Sequence, residues 1–107
     1  MAESKVVPLL FMNDATLRRR IARVAADSSR VFVTPHAKSR MKQRGVLRTQ
    51  LQRVLQNGNI VESAHRNVRG NWQCTLEAID AGDRIRTAVA LEHHPSGELV
   101  IVITVMN

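Results

Sequence analysis

The sequence HAKSRMKQRG, residues 36–45, predicts a short helix with one chemically distinctive side. His36, Arg40 and Arg44 recur every four residues, and side chains at that spacing lie within a turn of each other on an α-helix. Apolar residues between them form an adjacent edge, and Gly45 can adopt the left-handed conformation that ends a helix. We therefore expect this helix to lie against a core while one imidazole and two guanidiniums face outward.

Capping signals and apolar periodicity predict two more helices around this one. Pro35 suits the first position of a helix, where its missing N–H costs nothing, and Thr34 before it is a typical N-cap. A further helix is expected over residues 47–55, closed by Asn57-Gly58-Asn59. An earlier helix begins after the N-cap Asn13. Its apolar residues lie at i, i+4, i+7 and i+8: Leu17, Ile21, Val24 and Ala25.

From Ile60 onward the apolar period changes from that of a helix to that of a strand. Alternation predicts a meander of about four strands, at residues 60–65, 72–78, 85–91 and 99–106. The last strand is apolar almost throughout, so we expect it to be central and covered on both faces. A short β-branched run, Val31–Thr34, also has the composition of a strand. The predicted fold class is α+β, with two to three N-terminal helices packed on an antiparallel sheet of about four strands, in a single domain of residues 1–107.

The charge of the chain is concentrated in its first half. Residues 1–58 carry 12 Lys and Arg against three acids, whereas residues 59–107 carry four Arg against six acids, for a net charge of +7. This asymmetry is typical of a protein with a polyanionic partner, either nucleic acid or an acidic protein. Aromatic residues are few, so a nucleic-acid surface would work mainly through Arg and Lys.

The cysteine count and the hydropathy limit the remaining classes. Cys74 is the only cysteine, which excludes an internal disulfide and a zinc site built on several cysteines, and we expect neither a metal nor a cofactor. The apolar segment Val6–Met12 is too short to span a bilayer and lacks the flanks of a secretory signal. We therefore expect a cytoplasmic protein with no membrane partner.

Several stretches of the chain resemble the family catalogued as domain of unknown function 4258. They are VFVTPHAKSRMKQRGV at residues 31–46, VLQNGNIVE at 54–62, WQCTL at 72–76, RTAVAL at 86–91 and VIVITV at 100–105. This family is similar to the RelE/ParE-type toxin superfamily, which shares its layered sheet-and-helix architecture with barnase-like ribonucleases. The resemblance implies a toxin of a toxin–antitoxin pair that acts as a metal-independent endoribonuclease on RNA, including ribosome-bound mRNA, and that a cognate antitoxin protein neutralises.

RNA cleavage without a metal requires a base for the 2′-OH, charge stabilisation at phosphorus and an acid for the leaving oxygen. His36 can carry a proton near neutral pH, and Arg40 and Arg44 can hold phosphate oxygens in a fork geometry, so we predict these three as catalytic. Candidates for the second proton carrier are His65 and His93, with His94 beside it. The residues predicted to contact RNA are Arg18, Arg19, Arg23, Lys38, Lys42 and Gln43.

Other interpretations of the same residues stay open. His36 could instead bond a backbone carbonyl, with Arg40 and Arg44 bridging to Glu62 or Glu77, because ion clusters also arise for structural reasons. The arginine run of the first helix could simply be solvated. The chain would then be a non-catalytic basic module that binds RNA, a ribosome or an acidic partner protein. A ParE-like topoisomerase poison is a weaker alternative.

Overall fold

The computed structural model describes residues 12–106, so the segment 6–12 lies, except for Met12, outside the described residues. The elements are α1 (Asp14–Ala25), β1 (Val31–Val33), α2 (Pro35–Arg44), α3 (Arg48–Asn57), β2 (Asn59–Arg66), β3 (Trp72–Asp80), β4 (Asp83–His94) and β5 (Gly97–Met106). A single 3₁₀ turn, Ser28–Arg30, joins α1 to β1. The three helices and the four-strand meander agree with the predicted segments to within a few residues.

Hydrogen bonds at the helix ends confirm the predicted caps. The Asn13 side chain accepts the N–H of Thr16 at 2.8 Å, and the Thr34 hydroxyl accepts the N–H of Ala37 at 3.1 Å. These bonds satisfy donors that the first turn of a helix otherwise leaves without a partner. Gly45 ends α2 with a φ of 67°, a left-handed conformation that would strain most other residues.

The sheet contains five strands in the order β1-β5-β4-β3-β2. The prediction of an antiparallel sheet of about four strands is therefore wrong in two respects: the run Val31–Val33 joins the sheet, and it pairs with β5 in parallel. The other neighbours pair antiparallel. Local periodicity could not show this pairing, because β1 is only three residues long and its partner lies at the far end of the chain.

One hydrophobic cluster joins all three helices to one face of the sheet. β5 is an interior strand, as predicted, because it lies between β1 and β4. Its coverage on both faces is not observed: Val100, Val102 and Val105 are fully buried in the cluster, whereas Ile101 and Ile103 point to the opposite face and are only half-buried. We call this opposite face the open face, because no helix within residues 12–106 covers it.

A β-bulge at Ile103 changes which side chains β5 presents. The pairing with β4 shifts by one residue between Val102 and Thr104, and Thr104 comes opposite Ala88. Ala88 lies outside the hydrophobic cluster, whereas Val105 is fully buried within it. The extra residue therefore turns Thr104 toward the open face, where strict alternation from Val102 would have pointed it into the core.

Candidate functional site

α2 lies beside the part of β5 that extends past β1. Thr34, which links β1 to α2, donates its backbone N–H to the Val102 carbonyl at 3.2 Å and its hydroxyl to the Ile103 carbonyl at 3.1 Å. Ala37 and Met41 are buried in the core cluster. These contacts fix the helix at the sheet and turn its other side chains outward, as the spacing of its apolar residues predicts.

His36 is exposed at the start of α2, and its Nε2 atom lies 3.1 Å from the Thr104 hydroxyl. This bond holds one ring nitrogen, so the imidazole has a defined orientation. The other ring nitrogen, Nδ1, has no hydrogen-bond partner within residues 12–106. The partner of His36 is thus a side-chain hydroxyl that the β-bulge presents, and not a backbone carbonyl as the structural alternative proposed.

Arg40 is half-buried on the same helix. Its Nε is enclosed without a hydrogen-bond partner in the described chain, while its terminal nitrogens are not enclosed. The acids considered as structural partners are engaged elsewhere: Glu62 accepts a hydrogen bond from a threonine of β3 at 2.6 Å, and Glu77 pairs with Arg86 at 2.5 Å. Neither carboxylate therefore neutralises Arg40. Arg44 is exposed in the last turn.

The remaining polar side chains of α2 add to this cationic surface. Lys38, Lys42 and Gln43 are exposed, and none of them makes a hydrogen bond or an ion pair with another described residue. We call the group of His36, Arg40, Arg44 and Thr104 the α2–β5 corner. The structure thus gathers the predicted catalytic residues on one short helix and adds a threonine from β5 that orients the imidazole.

The arginines of α1 have different surroundings. Arg18 donates from Nε to the Gly58 carbonyl at 2.7 Å and from Nη2 to the Asn57 carbonyl at 3.2 Å, so its charge serves the C-terminal end of α3. Arg19 and Arg23 are exposed. α1 contacts α3, β2 and β5, whereas α2 contacts mainly β5, so the two sets of predicted RNA-binding residues lie on different helices.

The structure does not bring the predicted second proton carriers to His36. His65 lies on β2, which is separated from β5 by β4 and β3, and neighbouring strands are about 4.8 Å apart. His93 pairs with Glu98, five residues along β4 from the partner of Thr104, or about 16 Å at strand spacing. His94 contacts Glu92 at 2.5 Å near the β4–β5 turn. Among the described histidines, His36 alone is therefore placed to act as an acid or a base at the α2–β5 corner.

From the sequence, Thr104 of the last strand can face the side of the helix that carries His36, but this position is not distinguished from that of an ordinary buried threonine in a strand. The signal that could have identified it is the spacing of the valines in β5, which changes from two residues between Val100 and Val102 to three between Val102 and Val105. Such a change in a buried strand is what a β-bulge produces. The bulge moves Thr104 out of the core, and its hydroxyl thereby becomes available to His36.

Cys74 is not a candidate nucleophile. Burial, followed by the nearby charge of Asp14, raises the pKa of its thiol to about 12, so the thiol stays protonated near neutral pH. Within residues 12–106, no three His, Cys, Asp or Glu side chains are close enough together to hold a metal ion. In the same range, no helix combines the length and the apolar character needed to cross a bilayer.

A family model described as "Domain of unknown function (DUF4258)" matches residues 33–107. The matched range begins at the end of β1 and includes α2, α3 and the four strands of the meander. All four residues of the α2–β5 corner lie within it, whereas α1 with its arginine run lies outside it. No curated protein and no solved structure matches the chain.

Proposed function

The chain belongs to the DUF4258 family, and we propose that it binds RNA at the α2–β5 corner and cleaves it without a metal, as the toxin of a toxin–antitoxin pair. The observation that carries this proposal is the contact between His36 and Thr104. It gives an exposed imidazole a fixed orientation on a helix whose other outward side chains are mostly cationic. The resemblance to RelE/ParE-type toxins supplies the biological role.

The charges of α2 supply the substrate affinity in this proposal. The guanidiniums of Arg40 and Arg44 suit the oxygens of a phosphate, because planar guanidinium donors bind such oxygens in pairs. Lys38 and Lys42 are exposed one turn apart and add charge along the backbone of the RNA. Phosphate binding of this kind gives affinity without base specificity.

His36 supplies the base in the proposed reaction. Its unbonded ring nitrogen takes the proton of a 2′-OH, the 2′-oxygen attacks the adjacent phosphorus, and the bond from phosphorus to the 5′-oxygen breaks. The products are a 2′,3′-cyclic phosphate and a 5′-hydroxyl end. General-base catalysis of this kind contributes about 10²- to 10⁴-fold in rate.

Water supplies the proton to the leaving 5′-oxygen in this mechanism. His36 is exposed to water, and neither His65 nor His93 approaches it. A dedicated acid would contribute a further factor of about 10² to 10⁴, so we expect a slower enzyme than one that uses two histidines.

The missing second proton carrier favours one alternative, a non-catalytic module that binds RNA through the same corner. This module would bind RNA with the same dependence on salt, because that dependence reflects the number of phosphates contacted. It would release no cleaved product at any excess of protein. Product formation therefore distinguishes the two functions.

The proposal is tested by incubating the purified chain with a labelled single-stranded RNA in EDTA and mapping the new ends. We expect 2′,3′-cyclic phosphate ends, and we expect His36→Ala to lower the cleavage rate by at least about 100-fold while RNA affinity is retained. His65→Ala is the matched control, because His65 is also exposed but lies on β2. Full activity in His36→Ala would remove this residue from the mechanism.

The toxin role is tested in cells. We expect induction of the chain to arrest growth with new RNA ends, and co-expression of the small open reading frame beside its gene to relieve the arrest. DNA damage signalling without RNA cleavage would instead indicate a topoisomerase poison. Absence of any phenotype would leave only the RNA-binding module.

A further inference from the structure

A groove of about 280 Å³ lies on the open face of the sheet, next to the α2–β5 corner. Its floor consists of Ala90 on β4 with Ile101 and Ile103 on β5. Ala90 is only 2% exposed. The turn between β2 and β3, residues 67–71, provides most of the far wall.

Phe32 extends the apolar floor toward β1. It is in register with Ile101, so both side chains project from the open face, and 52% of Phe32 is exposed. A half-exposed phenyl ring is a surface on which another planar ring can stack, and such stacking is tolerant of the identity of the base. The groove therefore has an aromatic side chain beside an aliphatic floor.

The wall formed by the β2–β3 turn, β3 and β4 is polar. The Gln73 side chain accepts a hydrogen bond from Asn67 at 3.0 Å, which leaves its own amide N–H groups without a partner in the described chain. Asn71 donates to Glu92 at 3.3 Å, which leaves its carbonyl oxygen likewise available. The hydrogen bond from His94 lowers the pKa of Glu92, and the charge of Arg69, which also lines the groove, acts in the same direction.

These groups match the edge of a nucleobase. A free amide donor, a free amide acceptor and a carboxylate complement the alternating donors and acceptors of a base edge. We propose that the groove binds one nucleobase of the RNA, and this inference rests on the proposed function.

The groove and the α2–β5 corner are adjacent along the chain as well as in space. Ile103 lines the groove and is followed by Thr104, and Thr34 lines the groove two residues before His36. A base seated in the groove thus places its own sugar and phosphate at the imidazole. The corner would hold the phosphate, and the groove would select the nucleotide next to the cleaved bond.

The test uses nucleosides, which lack the phosphate. The full chain is titrated with adenosine, guanosine, cytidine and uridine, while NMR follows the methyl groups of Ala90, Ile101 and Ile103. We expect saturable shifts of these methyls and different affinities among the four nucleosides.

Two variants identify the groups responsible. Phe32→Ala should weaken nucleoside binding by about tenfold through loss of stacking. Ile79→Ala is its matched control, because Ile79 is also a largely exposed apolar residue of the open face but lies near the β3–β4 turn. Gln73→Leu should reduce the differences among the four nucleosides, because it removes the free amide donor.

Several results would overturn the inference, and they separate it from the proposed function. Absence of saturable methyl shifts in a chain that binds and cleaves RNA would overturn the groove alone. Equal losses in Phe32→Ala and Ile79→Ala would overturn the stacking argument. Nucleoside binding by a chain that does not bind RNA would overturn the proposed function and, with it, the assignment of the groove to RNA. Methyl shifts caused only by a protein partner would make the groove a docking surface.

Discussion

The helices α1 and α2 both carry clustered positive charge, but they use it differently. Two of the α1 arginines are committed to the fold, since Arg18 bonds the last carbonyls of α3 and Arg20 pairs with Glu98. The lysines of α2, Lys38 and Lys42, have no such partner in the described chain. α1 lies next to the C-terminal end of α3, whose last carbonyls have no partner within that helix. α2 lies at an edge of the sheet, where no carboxylate of the described chain contacts its lysines. The number of cations on a helix thus does not show how many of them are available to a partner, whereas the position of internal acceptors does.

The largest expected effect on stability comes from removing the structural arginine. Arg18→Ala leaves two carbonyls at the end of α3 without their charged donor, and we expect it to lower the free energy of unfolding by about 2 kcal/mol. Denaturant unfolding measures this change. Arg19→Ala is the control, because its side chain is exposed on the same helix and should change stability by less than about 0.5 kcal/mol. Equal losses of stability in the two variants would contradict the claim that Arg18 stabilises the fold and Arg19 does not.

The next test compares the exposed charges of the two helices. The double variant Lys38→Ala and Lys42→Ala should lower RNA affinity by about tenfold and reduce the slope of log K against log salt by about 1 to 2. The control is Arg19→Ala with Arg23→Ala, which removes the same charge from α1. Fluorescence anisotropy at several salt concentrations measures both. A larger loss in the α1 variant would move the RNA surface to the other helix.

A smaller effect is expected at the hydroxyl that orients His36. Thr104→Val removes one hydrogen bond of about 1 kcal/mol, so we expect cleavage to fall about fivefold with RNA affinity unchanged. The pH profile of cleavage and the ring ¹⁵N shifts of His36 should change as well, because the imidazole loses its fixed orientation. Thr104→Ser keeps the hydroxyl and should restore all three properties. Failure of Thr104→Ser to restore them would mean that packing, and not the hydrogen bond, is what matters.

The smallest expected effect is on stability and comes from Glu92, which lines the groove on the open face. The pKa of Glu92 in the folded protein is lowered from 4.5, first by the hydrogen bond from His94. Its contribution to stability is therefore complete above the unfolded-state pKa and is lost as the pH falls through the lower folded-state pKa. Glu92→Gln should thus destabilise the protein at pH 7 more than at pH 3, and thermal unfolding at both values measures the difference. A larger destabilisation at pH 3 than at pH 7 would contradict the claim that the ionised form of Glu92 stabilises the fold.

Local signals in the sequence predicted most of the elements. Caps at Asn13 and Thr34, the terminal Gly45 and the change of period after Gly58 placed the helices and the meander, because each acts over a few residues. The parallel pairing of β1 with β5 was not predictable in this way, since it joins distant segments. The same holds for Arg18, whose partners lie on another helix.

The candidate site was predictable in part. The helical spacing of His36, Arg40 and Arg44 needed only the geometry of one helix. Whether another histidine approaches them depends on the strand order, which places His65 at the opposite edge of the sheet, so that prediction had no local basis. The contact of His36 with Thr104 depends on a bulge whose only trace in the sequence is a change in valine spacing.

The most direct test of the central claim is an NMR titration of the full chain with a single-stranded RNA whose 2′-hydroxyls are methylated, so that it binds without being cleaved. We expect the ring signals of His36 and the backbone signals of Lys38, Lys42 and Thr104 to shift first and most, while those of α1 shift little. Shifts concentrated on α1, with the His36 ring signals unchanged at saturation, would contradict the claim that the α2–β5 corner holds the RNA.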